Sequence, residues 1–209
     1  MHALAIRLES GWTITNEFNE LLYDEIIPRL FRLLFELDEY EKKDEYEVDL
    51  IKLPANGYYE VSAAKDKIVR MGDTQIKDEE RAKSFHLDTY CFDSGSEGWL
   101  FWDLLREQRV RKIYFTGMLT HGQSDFFVQY IDPDSRTVRS YYPDFIFQRE
   151  EPDGSLKYVI VEVKADNQIE DAVVQAKKEF AQQMAVASGM EYRLLKSSDA
   201  DKRNFRMLL

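Results

Sequence analysis

The sequence has 209 residues, of which 44% are hydrophobic and 13% aromatic, and its net charge is −11 at pH 7. This composition supports a folded core and excludes an intrinsically disordered chain. The single cysteine, Cys91, excludes an intrachain disulfide and a zinc site built from cysteines. We expect a cytoplasmic protein away from membranes. No apolar run approaches the roughly 20 residues that span a bilayer, and residues 1–30 lack a signal-peptide pattern.

The negative charge is concentrated in the first part of the chain. Residues 1–90 hold 12 Lys+Arg and 20 Asp+Glu, a balance of −8, and residues 91–209 hold the remaining 16 and 19, a balance of −3. A protein that coats DNA without specificity would be basic, but an enzyme needs only a local basic track. One alternative is an acidic interaction protein whose N-terminal helices dock a helicase or mimic DNA.

Residues 1–86 are interpreted as an N-terminal extension, mainly helical or α+β and of unknown role. Apolar residues at helical spacing predict a helix over residues 16–40, which Pro28 should kink or divide. The next part predicts short strands and loops, with a turn at Asn56-Gly57 and a polar helix near Asp78–Lys83.

The stronger patterns lie in the second half of the chain. Ser94 or Ser96 can cap a helix. The predicted elements, in order, are a helix from about Glu97 to Gln108, strands at Lys112–Leu119, Asp125–Ile131, Val138–Phe147 and Tyr158–Ala165, a helix from about Gln168 to Ala187, and a strand at Glu191–Lys196. Helix, strands, helix and strand in this order predict an α/β fold with a central mixed sheet flanked by helices.

Two acids should face each other across a hairpin. A turn at Asp153-Gly154 joins two predicted strands, so residues paired across it should have index sums near 307. Asp144 and Glu162 sum to 306, so they should be opposite or one place apart, with Cβ atoms about 4.5–5.5 Å apart. Two carboxylates this close repel each other unless a cation lies between them. A hard divalent ion such as Mg²⁺ is the natural occupant.

Lys164 should point to the same side of the sheet as the two acids, because it follows Glu162 by two residues in a strand. With a bound metal, it could orient the attacking water or stabilise charge on a phosphate. The alternative is that Asp144 begins an edge strand while Glu162 and Lys164 form a surface pair. That alternative fits poorly with the apolar run Val159–Val161.

These residues resemble the signature of the PD-(D/E)xK nuclease superfamily, with Tyr142-Pro143-Asp144-Phe145 followed by Val161-Glu162-Val163-Lys164. Leu87–Lys164 is most similar to the C-terminal endonuclease domain of type III restriction enzymes, whose opening motif resembles Tyr90–Glu97. The resemblance implies a restriction-endonuclease-like core over residues 87–209, in the order α-β-β-β-α-β. It also implies an endonuclease that hydrolyses DNA in restriction, defence or DNA processing. Its cofactor would be Mg²⁺, for which Mn²⁺ could substitute.

The resemblance also implies roles for residues on the two helices. Glu97 matches an acid that binds metal directly or through water, although it could instead be a first-turn acid favoured by the helix dipole. Gln175 matches an accessory glutamine position, with an exposed helix residue as the alternative. Four basic residues could hold DNA phosphates or could simply be solvated helix residues: Arg106, Arg109, Lys177 and Lys178.

The sequence departs from the type III enzymes in one respect. It has no Gly-x-x-x-x-Gly-Lys-[Ser/Thr] loop, so the resemblance does not extend to their helicase motor. We therefore expect a nuclease that stands alone or works beside a helicase or other subunit, and possible pairing as a homodimer for double-strand cleavage. The alternative function is a catalytically weak nuclease-fold subunit that binds nucleic acid or a helicase. His86 and His121 have no ligand partners at metal spacing and are interpreted as structural.

Overall fold

The structure is a computed structural model and describes residues 21–30, 47–119 and 122–209. The chain divides into two units, Met1–Tyr46 and Glu47–Leu209. In the first unit, Leu21–Ile26 form a π-helix, and residues 27–30 continue as α-helix. The helix predicted over residues 16–40 is therefore present in its middle part, while its two ends lie outside the described residues.

The second unit contains eight strands and four α-helices among its described residues. In chain order they are β1 (Ile68–Arg70), α1 (Asp78–Lys83), β2 (Thr89–Cys91), α2 (Gly95–Arg106), β3 (Val110–Phe115), β4 (Val128–Ile131), β5 (Val138–Tyr141), β6 (Phe145–Glu150), β7 (Leu156–Lys164), α3 (Ala172–Ala187), β8 (Glu191–Lys196) and α4 (Ser197–Asp201). Short 3₁₀ turns lie at Lys65–Lys67, Asp166–Gln168 and Arg206–Leu208. Among the described residues, no helix is long and apolar enough to span a membrane.

The central sheet has four strands in the order β3-β6-β7-β8. β3 pairs antiparallel with β6 and β6 antiparallel with β7, whereas β7 and β8 are parallel. A parallel pair needs a long crossover, which α3 supplies between β7 and β8. The predicted α/β class with a mixed sheet flanked by helices is confirmed.

Alternation along the strands divides the apolar side chains between two layers. Phe145, Phe147 and Val161 belong to the layer that contains α2, whereas Ile146 and Ile160 belong to the layer that contains α3. All five are buried. Even-numbered residues of β7 therefore point toward α3, which decides the side on which Glu162 and Lys164 lie.

The prediction of one strand over Val138–Phe147 was wrong, because this segment forms two strands in different sheets. β5 pairs with β4 in a separate two-stranded sheet, and β6 joins the central sheet. The break falls at Pro143, which has no backbone N–H to donate to a strand neighbour. The β4–β5 hairpin is thus an insertion between the neighbouring strands β3 and β6.

The helix cap at Ser94 and the turn between β6 and β7 are both formed as predicted. Ser94 caps α2, with its hydroxyl accepting from the Glu97 N–H at 3.2 Å. The predicted β6–β7 turn closes through two backbone bonds, Glu151 N–H to the Ser155 carbonyl and Gly154 N–H to the Glu151 carbonyl. Gly154 has φ +82°, a conformation that glycine adopts without steric cost. Both predictions are confirmed.

His86 lies in a buried hydrogen-bond cluster around the hydroxyl of Tyr90. That hydroxyl accepts from the Phe85 N–H at 2.9 Å and lies 2.6 Å from His86 Nδ1. His86 Nε2 is buried and has no hydrogen-bond partner among the described residues. The side chain therefore has a structural environment, as its isolation in the sequence suggested.

Burial lowers the pKa of His86 from 6.5 to about 4, so the protein should lose stability in mild acid. The unfolded chain binds the proton between these two values and the folded chain does not, so stability falls as the pH drops from 6.5 to 4. The loss at this residue is on the order of 3 kcal/mol. Urea unfolding across this pH range should show a flatter dependence for His86→Asn than for the wild type. Equal slopes for the two proteins would contradict the prediction.

Candidate active site

Asp144 and Glu162 are neighbours across the β6–β7 hairpin. Phe145 pairs with Val161, an index sum of 306, as the last pair of the ladder, and Asp144 and Glu162 are the next residues on the two strands. The Asp144 carboxylate accepts a hydrogen bond from the Val163 N–H at 2.7 Å, which holds it against β7. The register predicted from the turn is therefore confirmed.

Glu162 and Lys164 point to the same side of β7 and contact each other. Lys164 Nζ lies 2.7 Å from Glu162 Oε1, and Glu162 is only 5% exposed. The other carboxylate oxygen, Oε2, is buried and has no hydrogen-bond partner among the described residues. A buried acceptor without a partner is costly, so this oxygen is available to a ligand that enters the site.

The charges of Asp144, Glu162 and Lys164 shift one another's pKa values. Burial, followed by the negative charges of Glu162 and Glu97, raises the pKa of Asp144 well above its ordinary value. Burial also raises the pKa of Glu162, although the charge of Lys164 opposes the effect. Burial disfavours the charged form of Lys164, but attraction to Glu162 outweighs it and raises the pKa of this lysine. The raised pKa of Asp144 shows that its negative charge is disfavoured beside Glu162 and Glu97, and a further cation would stabilise that charge.

The loop after β3 fixes the backbone of Asp144. The Asp144 carbonyl accepts from the N–H groups of Thr116 and Gly117 at 2.8 and 3.1 Å. The Thr116 hydroxyl donates to the Pro143 carbonyl at 2.6 Å. This contact explains the break between β5 and β6, since Pro143 and Asp144 bind the loop after β3 instead of extending one strand.

Gly117→Ala should impair the site, because an added Cβ would lie 3.0 Å from Asp144 Oδ1 and 3.1 Å from Asp144 Cα. Both distances are too short for relaxed contacts, so the Asp144 backbone and carboxylate must move by a few tenths of an ångström. Displacements on this scale at reacting groups can lower rates by about 10- to 100-fold. The measurement is DNA cleavage together with Mn²⁺ affinity. Gly72→Ala is the control, since an added Cβ there meets nothing within 4 Å.

Glu97 is held within the first turn of its own helix. Its Oε1 accepts from the Ser94 hydroxyl at 2.7 Å, and its Oε2 accepts from the Asp93 N–H at 3.0 Å. Its charge still raises the pKa values of Asp144 and Glu162, after burial and other causes. Across residues 21–30, 47–119 and 122–209, no three His, Cys, Asp or Glu side chains come together as a metal-binding group. The sequence predicted that three acids converge. In the structure Asp144 and Glu162 are neighbours, whereas the Glu97 carboxylate bonds to Ser94 and Asp93 at the start of its own helix.

Gln175 and Arg106, two further residues proposed from the sequence, each contact other groups of the protein. The Gln175 side-chain amide donates to the Ile169 carbonyl at 2.5 Å, which ties α3 to the loop before it. Arg106 lies over the Trp102 ring and 3.9 Å from Glu80.

Arg109, Lys177 and Lys178 also have three different environments. The Arg109 guanidinium donates to the carbonyls of Glu150 and Leu209. Lys178 is partly buried on α3. Lys177 is electrostatically linked to Glu162 and Lys164.

Sequence reasoning missed two tyrosines beside the acids. Tyr141 and Tyr192 are 6% and 7% exposed, and burial, with the charges of Glu162 and Asp144 among the further causes, raises the pKa of each. The Tyr141 hydroxyl has no well-formed hydrogen bond to any described residue, although the Tyr192 hydroxyl lies near it. The only signal in the sequence was that Tyr141 precedes the Pro-Asp pair by two residues.

The donor set fits a hard divalent cation. Asp144 and Glu162 offer carboxylate oxygens, which Mg²⁺ and Mn²⁺ accept, and waters and substrate usually complete the coordination of Mg²⁺. The buried, unpartnered Oε2 of Glu162 is the observation that supports this fit. Asp144 and Glu162 are the residues that would hold the ion.

The mixed sheet carries two neighbouring acids and an adjacent lysine at one end of a hairpin. Residues 117–197 match the family model described as TnsA-like endonuclease N terminal. This range includes Asp144, Glu162 and Lys164 and begins after Glu97. The match supports a nuclease superfamily of the PD-(D/E)xK kind, and not the type III restriction enzymes specifically. No curated protein matches the chain.

Proposed function

We propose that this protein is a metal-dependent endonuclease that hydrolyses phosphodiester bonds of DNA. The observation that carries the proposal is the facing pair Asp144 and Glu162, with Lys164 bonded to Glu162. The match of residues 117–197 to an endonuclease family adds independent support. The restriction-endonuclease-like fold, with Mg²⁺ as cofactor and Mn²⁺ as substitute, is part of the same proposal.

Each residue of the trio has a distinct task in this mechanism. A bound divalent ion supplies a Lewis acid and a water with a lowered pKa. Asp144 and Glu162 would hold the ion, and the Val163 N–H fixes the direction of the Asp144 carboxylate. Lys164 keeps its proton, donates to the attacking water or to a phosphate oxygen, and stabilises the negative charge that develops there. Burial of Glu162 strengthens its interactions by excluding water.

The test is cleavage by the purified chain of supercoiled plasmid, linear duplex and single-stranded DNA. Each form is incubated with Mg²⁺, with Mn²⁺ and with EDTA. We expect nicking or cutting of at least one DNA form with either metal and none in EDTA. Failure to cut every form with both metals would contradict the proposal.

A second candidate is a catalytically weak nuclease-fold subunit that binds nucleic acid or a helicase. The capping bonds of Glu97 favour it, because they engage the third acid that the resemblance implies for metal binding. Calorimetric titration with Mn²⁺ separates the candidates, since an active site should take up the ion and a purely binding subunit should not.

The biological setting is also a proposal. We place the activity in the cytoplasm, in restriction, defence or DNA processing, with DNA as substrate and a helicase or other subunit as partner. The type III-like character of residues 87–164 belongs to this proposal. A homodimer would supply two sites for cutting both strands. Size-exclusion chromatography with light scattering, with and without DNA, tests this last point.

A further inference from the structure

Lys177 occupies a distinctive position on α3, the helix that covers the Glu162 side of the sheet. Its ammonium nitrogen lies 5.5 Å from the ring centroid of Tyr130 and 5.5 Å from that of Tyr141. Tyr130 and Tyr141 come from β4 and β5, the inserted hairpin, and both are buried. The hairpin therefore supplies two aromatic faces that restrict where this ammonium group can go.

The ammonium group of Lys177 has no anionic partner in contact. Within the described part of the chain it donates no hydrogen bond, and no carboxylate lies within 4.0 Å of it. The side chain is partly buried, and aromatic faces replace only a fraction of the hydration that a cation loses. We therefore expect the Lys177 ammonium group to bind an anionic group of a ligand.

Lys177 lies on α3, the helix over the Glu162 side of the sheet, where burial and the charge of Lys164 lower its pKa and nearby acids oppose that shift. The attractive charges are Glu162, Asp132 and Asp144, and the repulsive one is Lys164. Glu162 does not neutralise Lys177 by contact, because its Oε1 is bound to Lys164 and its Oε2 has no partner among the described residues. Lys177 and Lys164 thus border the same acidic pair from two elements, α3 and β7.

The two arginines proposed from the sequence as DNA ligands are placed differently. Arg109 is bound to the carbonyls of Glu150 and Leu209, and Arg106 stacks on Trp102 near Glu80. Their cationic groups already have partners in the protein, whereas among the described residues the contacts of the Lys177 ammonium group are the Tyr130 and Tyr141 rings. The contrast separates Lys177 from a general track of basic residues.

We infer that Lys177 is a second catalytic lysine, which binds a non-bridging oxygen of the phosphodiester at the cleavage position. Tyr130 and Tyr141 are positioning residues that hold its ammonium group there. The inference rests on the proposed nuclease function and extends it. It assigns a task to the inserted β4–β5 hairpin, which carries both rings.

The first experiment compares cleavage rates of Lys177 variants under the metal conditions that give the fastest wild-type cleavage. Lys177→Met should lower kcat about 100-fold, with a smaller change in KM, because the contact strengthens as charge builds on the phosphate. Lys177→Arg should keep more activity than Lys177→Met, since it retains a charge that can lie on the rings. Lys157→Met is the control. Lys157 lies seven residues before Lys164 on β7, about 23 Å away along the strand, and pairs with Glu191.

The second experiment tests the positioning role through the rings. Tyr130→Phe and Tyr141→Phe keep an aromatic face under the ammonium group and should cleave within a few-fold of wild type. Tyr130→Leu removes a face and should lower kcat toward the Lys177→Met value while the melting temperature shows a folded protein. Equal activity of the leucine and phenylalanine variants would overturn the role given to Tyr130.

A binding measurement separates failure of this inference from failure of the proposed function. A fluorescent 20-base-pair duplex is titrated with protein in Ca²⁺ at several salt concentrations. Lys177→Met should bind more weakly and show a salt dependence lower by about one phosphate contact, whether or not the wild type cleaves. Mn²⁺ uptake should stay unchanged in this variant. Wild-type-like affinity and salt dependence for Lys177→Met, or no duplex binding by the wild type, would overturn the inference.

Discussion

Replacing Lys164 by alanine is expected to lower DNA cleavage about 10³-fold. The ammonium group is bonded to Glu162 Oε1, so its loss removes the group that would stabilise charge on the phosphate. Asp144→Asn should cause a loss of the same order, because a neutral amide is a much poorer ligand for a divalent ion. The measurement is the single-turnover rate on a supercoiled plasmid with Mg²⁺ and with Mn²⁺.

The choice of variants keeps the fold comparable with that of the wild type. An asparagine at position 144 can still accept from the Val163 N–H, which Asp144 binds at 2.7 Å, so β6 and β7 remain connected there. Lys157→Ala removes a lysine from the other end of β7 and should leave the cleavage rate unchanged. Cleavage by Lys164→Ala within tenfold of wild type, with an unchanged melting temperature, would exclude the proposed role of this lysine.

Divalent metal is expected to raise the melting temperature of the wild type by about 5–10 °C when present at about 100 times its dissociation constant. Binding to the folded state alone at that excess contributes about 2.7 kcal/mol. The physical reason is that burial and the charges of Glu162 and Glu97 disfavour the ionised Asp144 and raise its pKa, so a divalent cation beside it is stabilising. Differential scanning fluorimetry with Mg²⁺, Mn²⁺ and EDTA measures this shift.

Asp144→Asn should have two opposite effects in the same measurement. Without metal, the variant should melt at a higher temperature than the wild type, because one of two neighbouring acids becomes neutral. With metal, it should show little further increase. Asp153→Asn is the matched control, since it removes an exposed carboxylate at the tip of the same hairpin. Equal metal shifts in wild type and Asp144→Asn would contradict the placement of the ion.

Local sequence signals predicted the elements whose geometry depends on neighbours in the chain. The turn at Gly154 fixed the register of Asp144 against Glu162, because pairing in a tight hairpin depends only on the number of residues from the turn. The helix at Asp78–Lys83 and the strand at Glu191–Lys196 have the predicted bounds. The helix consists almost entirely of charged residues, and the strand carries its apolar residues Tyr192, Leu194 and Leu195 between charged ends.

Contacts between distant elements could not be predicted from the same signals. The sequence favoured one strand through Pro143, whereas the contact of Asp144 with Thr116 and Gly117 directs β5 and β6 into different sheets. The rings beside Lys177 come from a separate hairpin, and nothing in the periodicity of α3 indicates them. Glu97 shows the same difficulty, because its spacing suits both a capping acid and a ligand.

The connectivity of the central sheet has a consequence for how newly made chains reach their final state. Phe145 and Val161 pair across a hairpin and are 16 positions apart, whereas Val159 and Glu191 pair across a crossover of 32 positions. Closing the shorter loop costs less entropy and is faster. Asp144 and Glu162 therefore come together while both are still exposed to water, before β8 has paired with β7. At that stage the divalent cation of the proposed site would relieve the repulsion between the two carboxylates.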